Sequence, residues 1–330
     1  MYTKMNFVHI SSRALSVTQH PVSSRALGLA LGVALDAAFA DPRRGHPVAF
    51  FGRAAAALER RLYGDARANG VAHVAILVGS ATALGVAAEK APPVARTLLT
   101  AAATWAVLGG TSLAREGEHM AGHLESGDLG AARERLPHLC GRDPSHLEAP
   151  ELARATIESV AENTSDAVVA PLFWGAVAGV PGLLAYRAIN TLDAMVGHRS
   201  PRYERFGWAA ARTDDVANYL PARLTGLITV AAAPDRRNAL AVLRRDGHRH
   251  PSPNSGRCEA AFAGGLGITL GGTNVYGTRV EHRPELGDGR KPEVGDIRRA
   301  VRLARRVCLG AAAVAVTVAA LRGLTNARRR

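Results

Sequence analysis

Cysteine is scarce in this chain of 330 residues: Cys140, Cys258 and Cys308 are an odd number and show no CxxC or other metal-ligand spacing. That excludes a disulfide framework and a thiolate zinc site, and leaves ordinary intracellular thiols. Aromatic residues are also few, at 5%, although the formal net charge is +13. Nucleic-acid binding modules need aromatic stacking platforms, so no nucleic-acid partner is expected. The arginines, spread through every polar segment, read better as flanks of membrane spans, with phosphate-bearing substrates as a compatible second use. The glycine-rich AGGLGITLGGTNVYG (263–277) raises the question of a phosphate cradle, but no Walker lysine accompanies it and GxGxxG does not fit. No internal repeat and no low-complexity tract is present.

What the chain has in quantity is apolar sequence broken by polar blocks. Residues 1–25 carry no acid and read as a weakly ordered basic leader; the apolar run from Ala26 to Ala40 lacks a convincing cleavage site after it and reads as a retained first membrane segment. Residues 71–88 and 94–110, joined by Glu89-Lys90-Ala91-Pro92-Pro93, have the length of a membrane hairpin. A last span is expected at Val307–Leu321, and its basic flank, Arg322 and Arg328 to Arg330, favours a cytoplasmic C-terminus. The expectation is an all-α, polytopic helical membrane protein with broken or re-entrant helices and long polar loops. Residues 26–330 form its single domain, with a polar helical section at 111–166 and irregular loops at 190–216 and 234–300.

Ionised side chains beside hydrocarbon are costly, and this sequence places several there. On a helix, Glu158, Glu162 and Asp166 share one face at successive i+4 spacings. For Glu158 a solvated helix face is the expectation, whereas Glu162 and Asp166 abut a twenty-residue apolar run. Gly179 and Pro181 then break that run, so that Ala167–Ala178 and Gly182–Met195 dip in and return, bringing Asn190 and Asp193 back to the side of Glu162 and Asp166. Beyond them come Arg187, Arg212, the pair Asp214-Asp215, Asn218 and Arg223. Clustered acids suit hard cations and interspersed arginines suit phosphate, although structural salt bridges would account for the same residues. Two His-Pro turns, at His46 and His250, fix an imidazole on rigid backbone, or are simply turns.

Together LDAAFADPRRGHPVAFFGR, ESVAENTSDAVVAPLFWG, YRAINTLDAMVGHRSPRYERFGWAAARTDDVANYLPARL, HPSPNSG and LGGTNVYG, in this order from about Leu27 to Ala304, resemble the adenosylcobinamide-phosphate synthase (CobD/CbiB) family of cobalamin biosynthesis. The leader before Ala26 departs from the family pattern. The resemblance implies a multi-pass enzyme of the inner (cytoplasmic) membrane with its active loops facing the cytoplasm. It would join the corrinoid adenosylcobyric acid to aminopropanol phosphate or ethanolamine phosphate, using ATP and magnesium, with other enzymes of the pathway as partners. On that reading His46, His250 and Glu162 are the expected catalytic residues, the imidazoles as bases, and Asp166, Asp193, Asp214 and Asp215 the magnesium ligands. Arg43, Arg44, Asn163, Arg187, Asn190, Arg212, Asn218, Arg223, Ser252 and Asn254 are expected on substrate or phosphate. The competing classes are a membrane transporter or channel component, with the acids lining a path, and a soluble helical metal-dependent hydrolase.

Overall fold

The computed structural model describes residues 23–41, 45–198, 200–276 and 279–328. Its helices in chain order are α1 (Ser24–Phe39), α2 (Pro47–Leu62), α3 (Arg67–Glu89), α4 (Pro93–Val107), α5 (Gly110–Glu125), α6 (Leu129–Arg135), α7 (Ala149–Thr164) and α8 (Ala170–Leu192). After them come α9 (Trp208–Ala217), α10 (Tyr219–Ala232), α11 (Arg236–Asp246) and α12 (Ser255–Leu266), the strands β1 (Leu270–Tyr276) and β2 (Arg279–Leu286), and α13 (Val294–Arg328). The leader expected at 1–25 falls almost wholly outside the described residues, as do Arg43 and Arg44.

Among the described residues, four helical stretches are long and apolar enough to cross a membrane: Arg67–Glu89, Pro93–Glu125, Ala149–Gly197 and Val294–Thr325. The fold is thus that of an all-α polytopic membrane protein. Leu84, Leu98 and Leu309 stand 61–70% exposed on these stretches, an arrangement that suits a surface facing lipid. Small residues set the packing. Gly28 and Gly32 lie one helical turn apart on α1, and a side chain at either would collide with Thr100 or Thr104 of α4. The two backbones therefore approach as small-xxx-small helices do in membranes.

The apolar run breaks where the Gly-Val-Pro sequence puts it. Gly179 has φ 71° and ψ −150°, a backbone conformation open to glycine, and Pro181 follows. Beyond it the chain doubles back: Gly182 packs on Trp174, Gly175 on Leu183, and the Tyr186 hydroxyl donates to the Asp166 carbonyl at 3.3 Å. At the tip, Arg25 Nη1 donates to the carbonyls of Ala176 (3.4 Å) and Val177 (3.3 Å), and Arg322 to that of Val177 (2.6 Å). Glu89 accepts from the Val180 N–H at 3.1 Å and pairs with Arg25 at 3.5 Å. Cations thus meet the C-terminus of the first arm and an anion the N-terminus of the second, as helix dipoles favour.

The stretches expected to be irregular are more ordered than their composition implies. Within 234–300 lie α11, α12, the antiparallel β1–β2 hairpin and the start of α13; within 190–216 lie the end of the second arm and most of α9. Asp235 caps α11, accepting from the Asn238 N–H, and Ala239, Val242 and Leu243 form its buried face. Buried along nearly its whole length, the Ala- and Gly-rich α12 has no polar face from which a period could be read. Residues 270–276 of LGGTNVYG are β1, and the Gly271 N–H, which a phosphate cradle would need free, donates to Glu158 at 2.8 Å.

Candidate active site

At the open ends of the two arms lies a cavity of about 250 Å³. Glu162 reaches it from α7, Ser165 and Asp166 from the turn that follows, and Asp193 from the end of the returning arm. A straight helix would hold Asp166 and Asp193 roughly 40 Å apart, so the fold-back at Gly179 is what lets them share a wall. Both acids sit in π-helical turns, Ser165–Val169 and Asp193–Gly197, where one extra residue per turn re-aims the side chains. Asp214, Asp215 and Asn218 enter from α9 and its C-cap, His250, Ser252, Asn254, Ser255 and Cys258 from the lead-in and first turn of α12, and Arg283 from β2.

Five carboxylates therefore face one guanidinium on this wall. Their contacts are largely neutral: Ser255 Oγ donates to Glu162 at 2.6 Å, and Asn218 Nδ2 to Asp214 at 3.0 Å. The other Asp214 oxygen, Oδ1, is buried without a hydrogen-bond partner. Burial, and then the nearby Asp193 charge, push the Asp214 carboxyl up to about 7. Uncompensated buried acid of this kind marks a place for a cationic ligand.

Behind the wall the acids are treated differently. Glu158 is buried, pairing with Arg142 at 2.5 Å and Arg154 at 3.4 Å, so the expectation of a solvated Glu158 is wrong. The one-face stripe splits: Glu162 and Asp166 face the cavity while Glu158 ties α7 to the loop before it and to β1. Glu259, on α12, is 1% exposed, and neither of its carboxylate oxygens has a hydrogen-bond partner. Burial, reinforced by Glu158 and Glu162, holds its carboxyl well above the usual range.

The remaining expected residues divide. Asn190 stands close enough to Asp214 to favour its ionised form, and Arg212 pairs with Asp215 at 3.1 Å on the exposed side. Arg187 donates to Asn190 at 3.4 Å without lining the cavity. Asn163, a hundred degrees round the helix from Glu162, turns back to the Ser159 carbonyl at 2.9 Å. Arg223 lies over the Tyr219 ring, 3.4 Å from its centroid, away from the wall. His46 is the N-cap of α2, accepting from the Val48 N–H at 3.1 Å, with Asp41 3.4 Å from Nε2. His250 repeats the device on the cavity wall, its Nδ1 accepting from the Ser252 N–H at 3.0 Å and its Nε2 lying 3.7 Å from Glu259. A backbone N–H on Nδ1 favours the neutral tautomer with its proton on Nε2, so in this arrangement each ring presents Nε2 as a donor.

Hard oxygen donors in this number suit magnesium, and the orphaned Asp214 Oδ1 fits such an ion. Among the described residues no three His, Cys, Asp or Glu side chains are already drawn together as a ligand set. Residues that motif reading missed are Ser165, Ser255, Cys258, Arg283 and Glu259; Ser255 stood within the quoted HPSPNSG, whereas Arg283 arrives on a strand that carries no motif.

No solved structure matches this chain. Among curated relatives, the cobalamin biosynthesis protein CobD of Mycobacterium tuberculosis is 56% identical over 301 residues, covering 89% of this chain and 95% of that protein. The protein of the same name from Geobacter metallireducens is 46% identical over 272 residues, covering 79% and 86%, and that from Rhodobacter capsulatus is 42% identical over 305 residues, covering 89% and 96%. The model of the family described as CobD/Cbib protein matches residues 29–304. With most of its length covered by that model and by relatives well above 30% identity, the chain belongs to the CobD/Cbib protein family.

Proposed function

We infer that this chain serves cobalamin biosynthesis as an ATP-dependent ligase, joining the carboxylate of adenosylcobyric acid to the amine of aminopropanol phosphate or ethanolamine phosphate to give adenosylcobinamide phosphate. The observation that carries the reading is the convergence of Glu162, Asp166, Asp193, Asp214 and Asp215 on one cavity. The names of the relatives supply the pathway.

The cavity has room for about eight waters, enough for a small amino-alcohol phosphate but not for a corrin ring, which would remain at the mouth. Magnesium ATP supplies the phosphoryl group that turns an unreactive carboxylate into an acyl phosphate, with ADP leaving. Asp166, Asp193, Asp214 and Asp215 would hold the metal. The first turn of α12, with Ser252, Asn254 and Arg283 beside it, offers donors to phosphate. Glu162 takes a proton from the ammonium and frees the amine lone pair; the amine bonds to the acyl carbon, the acyl–oxygen bond to phosphate breaks, and the second amine proton leaves with the departing phosphate. His250, held as an Nε2–H donor, orients an anion and takes no proton.

Cytoplasmic ATP places the cavity end on the cytoplasmic side of the inner membrane. Arg322 of α13 meets the hairpin tip, at the opposite end, so this orientation puts the C-terminus on the far side, against the expectation from its arginines. Arginine occurs in most polar segments, so counts of positive loops discriminate little here. Purified protein supplied with cobyric acid, aminopropanol phosphate and magnesium ATP should yield cobinamide phosphate by mass spectrometry, and only when ATP is present. Unchanged corrinoid from folded protein would overturn the reading and return the transporter to consideration.

A further inference from the structure

The helix that carries Asp214 to the cavity has a second face. Trp208, Arg212, Val216 and Leu220 recur at i+4 along α9 and into α10, with Tyr219 beside the last of them, and all are outward. Val216 is 75% exposed, Leu220 56% and Tyr219 50%, values that a water-facing helix next to an acidic site does not need. Two of the rings carry a guanidinium: Arg67 lies 5.0 Å from the Trp208 ring centroid and Arg223 3.4 Å from that of Tyr219. Arg212, between them, is largely exposed beyond its pair with Asp215.

This stripe runs into the lipid-facing surface. Leu227 further along α10, and Val71 and Ile76 on α3, which packs against α9, are also exposed apolar side chains. The hairpin arm from Gly179 to Asp166 is only about 20 Å long, shorter than the ~30 Å apolar core of a bilayer. With the tip just short of one interface, such an arm brings the cavity, and α9 with it, to within roughly 10 Å of the other, a gap that the long side chains of α9 span. Aromatic rings with arginines among them are the composition that settles at headgroup level, where the rings meet the acyl boundary and the guanidinia meet lipid phosphate.

We propose that the outer face of α9 and the first turn of α10 rest on the anionic headgroup layer of the membrane, with Arg67, Arg212 and Arg223 pairing with lipid phosphates. The partner is anionic phospholipid, selected by the three cations and by continuity with the spanning surface. One helix then has the membrane on one side and the acids of the cavity on the other, and the cavity mouth opens at the membrane surface.

The test uses the full-length protein in nanodiscs of phosphatidylcholine with or without phosphatidylglycerol, with acyl chains brominated near the glycerol or near the bilayer centre. The emission lost in Trp208→Phe isolates Trp208 from Trp105 and Trp174. Shallow bromines should quench that component at least twofold more than deep ones. Phosphatidylglycerol should strengthen the quenching, and the combined Arg67→Gln, Arg212→Gln, Arg223→Gln variant should lose that dependence. Absence of quenching, deeper bromines acting more strongly, or indifference to anionic lipid would each overturn the proposal. So would an unquenched Trp208 accompanied by a dimer mass, which would assign the face to a second copy of the chain. No readout uses amide formation, so the result stands apart from the enzymatic reading.

Discussion

The two ends of the broken hairpin handle charge in opposite ways. At the tip, Arg25, Arg322 and Glu89 meet one another or the backbone groups that the break at Gly179 leaves open. At the open end, five carboxylates gather with mostly hydroxyls and amides for company, Arg212 and Arg283 being fewer than the acids, and Asp214 Oδ1 is without a hydrogen-bond partner. Both ends put ionised groups beside apolar helices, so burial alone does not distinguish structure from function. Compensation does: where charge is matched inside the protein it closes the fold, and where it is not the match has to come from a ligand.

If that distinction holds, substitutions at the open end should cost activity and those at the tip stability. The largest effect is expected at Glu162. Glu162→Gln keeps the shape that accepts from Ser255 but removes the base, and should lower amide formation by about 10²- to 10⁴-fold with the melting temperature little changed. Asp214 should sharpen the contrast through pH. Its carboxyl, raised to about 7, is ionised only above that value, so activity should climb through pH 7 and the limb should vanish in Asp214→Asn. Stability runs the other way: the cost of a buried ionised Asp214 is absent at pH below its ordinary value, grows as the pH rises toward 7, and is complete above it. Asp214→Asn should therefore stabilise the protein at pH 8, by up to about 4 kcal/mol, while lowering activity to a residual level whose profile lacks that limb. Thermal melts at pH 5 and pH 8 beside the activity profile would check both signs.

Much of the open end was legible because its parts follow local rules. Apolar length fixed α3 and α4, Gly179 and Pro181 fixed the break, and i+4 spacing put Glu162 and Asp166 together. Asp193 followed from the fold-back. Glu158 did not, because whether an acid on that stripe meets water or Arg142 depends on a loop whose path no period encodes. Arg283 was hidden for a similar reason: it reaches the wall only because β2 pairs with β1, bringing Arg283 opposite Gly272 in a segment read as irregular. His46 illustrates a different ambiguity, since its His-Pro pair caps α2 through Nδ1 while Nε2 lies near Asp41, and the dipeptide alone signals neither contact.

The tip supplies the smaller effects. Glu89→Gln leaves Arg25 without its carboxylate and weakens the acceptor for the Val180 N–H, and should cost about 1–3 kcal/mol in detergent melts while activity per folded molecule stays within twofold. The smallest effect is expected at Arg322. Its bond to the Val177 carbonyl is exposed, and Arg25 already serves the same oxygen at 3.3 Å, so Arg322→Ala removes one of two donors rather than an only partner. A loss of under about 1 kcal/mol is expected. Should Arg322→Ala instead depress amide formation as strongly as Glu162→Gln while the melt is unmoved, the two ends would be coupled through the arms, and compensation at the tip could no longer be read as purely structural.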